Sequence, residues 1–331
     1  MPHVETSPVG PPPPFDPELV PVLKVINEVV PPDAFADLAK ARETAAAKAA
    51  AGPGLAEFAR DGAFTVEERR VPGPEGAPDV ALLLCLPTGA VEPFPLLYHA
   101  HGGGMILGDY TVGLPDALDL AQEVGGGVVS VEYRLAPETP HPGPVEDCYA
   151  GLVWTAEHAE ELGADPSRIV VGGGSAGGGL AAALALLARD RGGPSLAGQL
   201  LLCPMLDDRN DTPSAVQMAG LGVWDRTSNH AGWTALLGDA RGTEDVSPYA
   251  APARATDLAN LPPAFVDVGS AETFRDEDVA YATGIWRAGG QAELHVWPGG
   301  FHGFDLMAPH TALAREARAA RARWLRRLLG G

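Results

Sequence analysis

The stretch RIVVGGGSAGGGLAAALALLA, Arg168 to Ala188, sets one serine, Ser175, inside a run of glycines. RIVV reads as a strand and LAAALALLA as a helix, so the glycine run is the turn that joins them. A flexible linker has no place at such a junction. Two chemistries fit the turn. Gly172, Gly174 and Gly177 satisfy the GxGxxG fingerprint of a dinucleotide site, and Gly173, Ser175 and Gly177 satisfy the GxSxG of a nucleophile elbow.

A dinucleotide site needs an acidic residue at the end of the following strand, about 20 residues on, to bind the ribose hydroxyls. Asp190 has that spacing but ends the helix, and Asp207 lies too far along. The elbow accounts for the small residues better. A serine forced outward on a sharp strand-to-helix turn needs small neighbours such as Ala176 and Gly177. The amide of Ala176 would then face a reacting carbonyl from the positive end of the helix.

On either side, short apolar strands and amphipathic helices alternate. FTVEERRVP, DVALLLCLP, FPLLYHA and GGVVSVEYRL precede the elbow; QLLLCPML, PPAFVDVGS and AELHVWPG follow it, with helical stretches between them. That order implies an α/β fold with a mostly parallel sheet and helices on both faces. FPLLYHA and GGVVSVEYRL are nearly continuous apolar runs, as strands covered on both faces are. One polar segment, from about Leu206 to Val246, interrupts the alternation and reads as an insertion over the carboxyl ends of the strands, together with helices before residue 60. A proline-rich entry, Pro11 to Pro14, reads as a loose arm.

Composition narrows the function classes. The 331 residues carry 23 Lys and Arg against 43 Asp and Glu, a formal charge of −20 that repels nucleic acid and anionic membranes. No apolar run reaches the roughly 18 residues that span a bilayer, and MPHVETSPVGPPPPF has no signal-peptide pattern, so a cytoplasmic location is expected. Cys85, Cys148 and Cys203 lack metal-site spacing and are expected to be buried thiols, with no metal and no cofactor.

A serine nucleophile needs an oxyanion hole, a base and an acid. His101-Gly102-Gly103-Gly104 follows the strand FPLLYHA, and consecutive glycines let backbone N–H groups approach a carbonyl oxygen. Among nine histidines, His302 lies in PGGFHGFD, a turn after the last strand, from which its ring can reach Ser175; His295 sits within that strand and His3 in the arm. The acid is expected after AFVDVG: Glu272 sits three residues past Gly269, with Asp276 as the alternative, while Asp276 and Asp278 also read as charges in the first turn of a helix. Ser175, Glu272, His302 is the nucleophile–acid–base order of α/β-hydrolases.

With HGGG at 101–104, YRLAPE at 133–138, PVED at 144–147, GGSAGG at 173–178, SPYAAP at 247–252, RDE at 275–277 and FHGF at 301–304, the chain resembles the hormone-sensitive-lipase-like (bacterial family IV) carboxylesterases. The resemblance runs from about Val66 to the C-terminus. It implies the α/β-hydrolase fold: an eight-stranded, mostly parallel sheet with a helical cap. The chain then divides into an arm and cap helices at 1–60, core at 61–205, cap insertion at 206–246 and core at 247–331. It also implies cofactor-free hydrolysis of small-molecule esters, short-chain acyl esters above all, with Gly103, Gly104 and Ala176 as oxyanion donors. Homodimers through the last strand are common in the family, and a few members without the histidine serve as small-molecule receptors, which His302 argues against. Two residues depart from the family pattern: Gly174 stands where aspartate is usual and Gly179 where asparagine is usual. Trp224 and Trp233 fit either a pocket wall or a cap anchor, and Arg315, Arg318, Arg321 and Arg323 of the final helix read as a solvated face.

Overall fold

The computed structural model describes residues 9–30, 34, 37–50 and 54–330. His3 lies outside the described residues. Eight strands form one sheet: β1 (Phe64–Val71), β2 (Val80–Pro87), β3 (Phe94–Ala100), β4 (Gly127–Glu132), β5 (Ala164–Gly174), β6 (Gly198–Leu202), β7 (Ala264–Gly269) and β8 (Ala292–Trp297). Their order is β1-β2-β4-β3-β5-β6-β7-β8. The β1-β2 and β2-β4 pairs are antiparallel and the remaining pairs parallel, as the alternation of strand and helix predicts.

Ten α-helices accompany the sheet among the described residues: α1 (Val20–Val29), α2 (Leu38–Ala50), α3 (Leu114–Gln122), α4 (Gly143–Glu157), α5 (Ala176–Arg191), α6 (Pro213–Gln217), α7 (Arg226–Leu237), α8 (Arg275–Arg287), α9 (Phe304–Met307) and α10 (Ala312–Leu329). Side chains alternate across a strand, so each strand feeds two cores. Leu82, Leu84, Tyr98 and Val129 pack in one core with α5. Leu83, Leu97, Val128 and Val170 pack in the other with α3 and α10. Every residue of β3 is buried, and α5 is buried from Ala176 to Ala188. Its alanines let that helix lie close against the central strands.

The segment expected as an insertion follows β6. The strand stops at Leu202, short of the expected QLLLCPML, because Cys203 turns the chain with a φ of 38°. Within 206–246, Thr212 caps α6 by accepting the Ala215 amide at 3.2 Å, and Asp225 caps α7 by accepting the Ser228 amide at 2.8 Å. No helix among the described residues is long and apolar enough to cross a membrane.

Two expectations are corrected here. The proline-rich entry is not loose along its whole length, since the Gln217 amide donates to the Pro11 carbonyl at 3.0 Å and the Asp16 N–H to the Gly299 carbonyl at 3.0 Å. The final helix is not a uniform solvated face. Arg321 is 3 % exposed; its Nε donates to Asp267 at 2.8 Å and its Nη1 to Asp305. Arg318 pairs with Asp116 at 2.5 Å.

Candidate active site

Ser175 stands between β5 and α5 with φ 58° and ψ −122°, a conformation that costs an L-residue roughly 1–3 kcal/mol and persists only where its surroundings hold it. They do so through the backbone. The Ser175 amide donates to the Leu202 carbonyl at 2.8 Å, and its carbonyl accepts from Met205 at 2.9 Å and Gly179 at 3.0 Å. The turn is tight enough that a Cβ on Gly177 would lie 2.0 Å from the Ala100 carbonyl oxygen. This contact explains why small residues surround the serine.

The loop after β3 lies beside this turn. Gly103, at φ +122°, has no room for a side chain, because a Cβ would sit 2.1 Å from the Leu107 carbonyl oxygen. Its carbonyl accepts from Ile106 and Leu107, while among the described residues no protein acceptor takes the amides of Gly103 and Gly104. Ala176 is the first residue of α5, so its N–H has no carbonyl within the helix. His101 braces the loop. Its ring stacks on Tyr133 at 4.1 Å and its Nδ1 lies 2.8 Å from the Gly102 carbonyl; burial pushes its pKa down to about 4 and keeps it neutral.

Beyond β8, the turn carrying His302 is pinned by the Asp16–Gly299 bond. His302 Nε2 lies 2.9 Å from Ser175 Oγ, and its Nδ1 lies 3.0 Å from Glu272 Oε1. The ring meets Phe274 edge-on at 5.2 Å. Glu272 is 2 % exposed, and its Oε2 has no hydrogen-bond partner among the described residues, so the carboxylate is directed at the imidazole. The structure therefore brings together Ser175, His302 and Glu272 and leaves the other candidates outside. Asp276 instead accepts the Ser214 amide at 2.8 Å and ties α6 to α8. Asp278, expected as a first-turn charge of the helix, is fully buried with neither oxygen bonded among the described residues, and burial raises its pKa well above the usual carboxylate range. His295 sits against Glu293 at 2.9 Å and stacks on Trp297.

Cys203, Glu272 and His302 bring ligand-type atoms within 4.8 Å of one another. They suit a metal poorly, because His302 Nδ1 is engaged with the carboxylate and burial, aided by Glu272 and neighbouring aspartates, raises the Cys203 pKa well above its usual value. Cys85 and Cys148 are buried thiols as expected, but Cys203 is partly exposed and faces a cavity. That cavity, about 250 Å³, is walled by Gly102–Gly104, Ser175, Trp224 and His302 and runs down the α3 side of the sheet. It shares Leu107, Val112 and Leu306 with a neighbouring groove of about 1180 Å³. Trp224 is thus a pocket wall, its ring occupying the space a side chain on Gly104 would need, whereas Trp233 is fully buried in the core. Arg42 joins α2 to the segment after the glycine loop, donating to the Ile106 and Ala136 carbonyls at 2.9 and 2.6 Å.

A serine on a strained strand-to-helix turn, facing a histidine–carboxylate pair at the carboxyl ends of a parallel sheet, defines the α/β-hydrolase class. The sequence profile of the alpha/beta hydrolase fold matches residues 97–306. The chain is 37% identical over 266 residues to carboxylesterase NlhH of Mycobacterium tuberculosis, covering 80% of this chain and 83% of the relative. It superposes on a bacterial heroin esterase with a TM-score of 0.86 at 41% identity, over 95% of this chain and 98% of the other. A hyperthermophilic esterase of the archaeon Pyrobaculum calidifontis gives 0.82 at 31% identity, over 95% and 99%. The chain belongs to the hormone-sensitive-lipase-like carboxylesterases of the α/β-hydrolase superfamily.

Proposed function

We propose that this protein hydrolyses small carboxylic esters through an acyl-enzyme formed on Ser175. The observation that carries the reading is the unbroken line Ser175 Oγ–His302–Glu272, at 2.9 and 3.0 Å. His302 takes the hydroxyl proton as Ser175 Oγ attacks the ester carbonyl. Glu272 holds the ring and stabilises the imidazolium. The amides of Gly103, Gly104 and Ala176 receive the oxyanion; losing one such donor costs about 3–4 kcal/mol of transition-state stabilisation. His302 then protonates the departing alcohol. Water, deprotonated by the same ring, attacks the acyl-enzyme and releases the acid.

The 250 Å³ cavity limits the group held beside Ser175 to a short chain, while the wider groove can receive a bulkier remainder. The insertion at 206–246 supplies part of the cover through Trp224. The strong negative charge suits a neutral small-molecule substrate and opposes a nucleic-acid partner. β8 is an outer strand of the sheet, so pairing with a second copy is open to it.

Hydrolysis of p-nitrophenyl esters of increasing acyl length tests the reading. Turnover is expected to be best for short chains and to be lost in Ser175→Ala. Absence of turnover across the panel would make the chain a binding module, and activity retained in the variant would remove Ser175 from the chemistry.

A further inference from the structure

Among the polar groups that line the cavity and that the hydrolytic steps do not use, His99 offers an unpaired hydrogen-bond acceptor. His99, in β3, is 5 % exposed and lines the cavity. It pairs in register with Gly172 of β5 and Ser130 of β4. A Cβ on Gly113, at the start of α3, would lie 3.2 Å from His99 Nε2, so this glycine leaves the nitrogen uncovered.

The hydrogen bonding fixes what that nitrogen offers. The Ser130 hydroxyl donates to the Tyr110 carbonyl at 2.7 Å. A hydroxyl carries a single hydrogen. Ser130 Oγ must therefore accept from His99 Nδ1, 2.9 Å away, which makes the ring the Nδ1–H tautomer and leaves Nε2 a bare acceptor. Burial disfavours the imidazolium, with a smaller push from His101, and lowers the pKa to about 3, so this state holds at neutral pH. Among the described residues no donor reaches Nε2.

We infer that His99 Nε2 is a specificity determinant: it accepts a hydrogen bond from a hydroxyl or amide N–H on the part of the ester that enters the cavity. The enzyme then prefers esters that carry such a donor over plain alkyl esters of the same length. Gly172 lies three residues before Ser175, roughly 10 Å along the strand, which places the donor about four to six carbons from the scissile carbonyl. This inference rests on the esterase reading. The donor belongs to either the acyl or the alcohol portion, and the experiment separates the two.

The test compares kcat/KM for p-nitrophenyl hexanoate with that for its ω-hydroxy analogue, and for hexyl acetate with that for the monoacetate of hexanediol. In one of the two arms the hydroxyl compound should be favoured by about 10- to 100-fold, the discrimination expected of a buried acceptor left unpaired by the plain ester. The ratio should fall towards unity in His99→Leu. It should also fall in Ser130→Ala, where the ring is free to carry its hydrogen on either nitrogen. Because each ratio is taken within one variant, losses in overall activity cancel. A ratio near unity in both arms of the wild type, or one that survives both substitutions, would overturn the inference. If the plain esters are not hydrolysed at all, it is the esterase reading that fails.

Discussion

His302 Nε2 lies 2.9 Å from Ser175 Oγ, although 127 residues separate the two in the chain. The ring reaches the serine because Glu272, almost fully buried, holds its opposite nitrogen at 3.0 Å. Glu272→Ala should therefore lower kcat for a short-chain ester by about 10³- to 10⁴-fold, while KM changes little, since the carboxylate acts through the ring and not on the substrate. Steady-state kinetics at saturating ester check this. A loss below tenfold would assign the orienting role to another group.

Gly174 and Gly179 look equivalent as departures from the family pattern, and the structure separates them. A Cβ on Gly179 would lie 2.2 Å from the Met205 carbonyl oxygen, in the backbone that also bonds Ser175, whereas a Cβ on Gly174 would meet only the Leu202 oxygen at 3.8 Å. Gly179→Ala is expected to displace the elbow and to cost about a hundredfold in kcat. Gly174→Ala should keep near-normal activity and be neutral to stabilising by up to about 1 kcal/mol. Kinetics and thermal melts of the two variants side by side provide the comparison.

Arg321 lies buried between Asp267 and Asp305 and joins α10 to the end of β7 and to α9, just past the His302 turn. Arg321→Met removes the cation and leaves two buried carboxylates unpaired, a loss of about 3–5 kcal/mol. Urea denaturation should show a lower midpoint with an unchanged slope. A change below about 1 kcal/mol would mean that the pair contributes little.

Glu132, at the end of β4, accepts the Tyr110 amide at 2.7 Å, yet burial raises its pKa to about 7. A carboxyl that binds its proton more tightly when folded destabilises the fold as pH rises from its ordinary value near 4.5 through 7. Glu132→Gln should therefore match the wild type at pH 4 and be more stable above pH 7, by at most about 3 kcal/mol. Melting temperatures across that range measure the difference. An equal gap at both ends would point to a cause other than proton binding.

Much of this arrangement is legible in the sequence, for physical reasons. Strands covered on both faces are continuous apolar runs, so β3, β4 and the central sheet declare themselves. The elbow, the glycine loop and the His302 turn declare themselves through residues that only a tight backbone requires. Partners distant in sequence leave no such mark. Arg321 sits in a basic helix whose spacing does not say which arginine turns inward, and Asp267 and Asp305 come from other elements. Asp278 looks like a dipole charge until the packing of α8 buries it. The acceptor on His99 depends on Ser130, Tyr110 and the start of α3, a helix that its proline-led segment LPDALDLAQ does not advertise.

The central claim is that Ser175 is the activated nucleophile, and covalent labelling tests it most directly. After treatment with a fluorophosphonate, peptide mapping by mass spectrometry should find one adduct, on the peptide containing Ser175. The adduct should be absent from Ser175→Ala and formed far more slowly in His302→Ala. An adduct on another residue, or none while ester hydrolysis proceeds, would contradict the account.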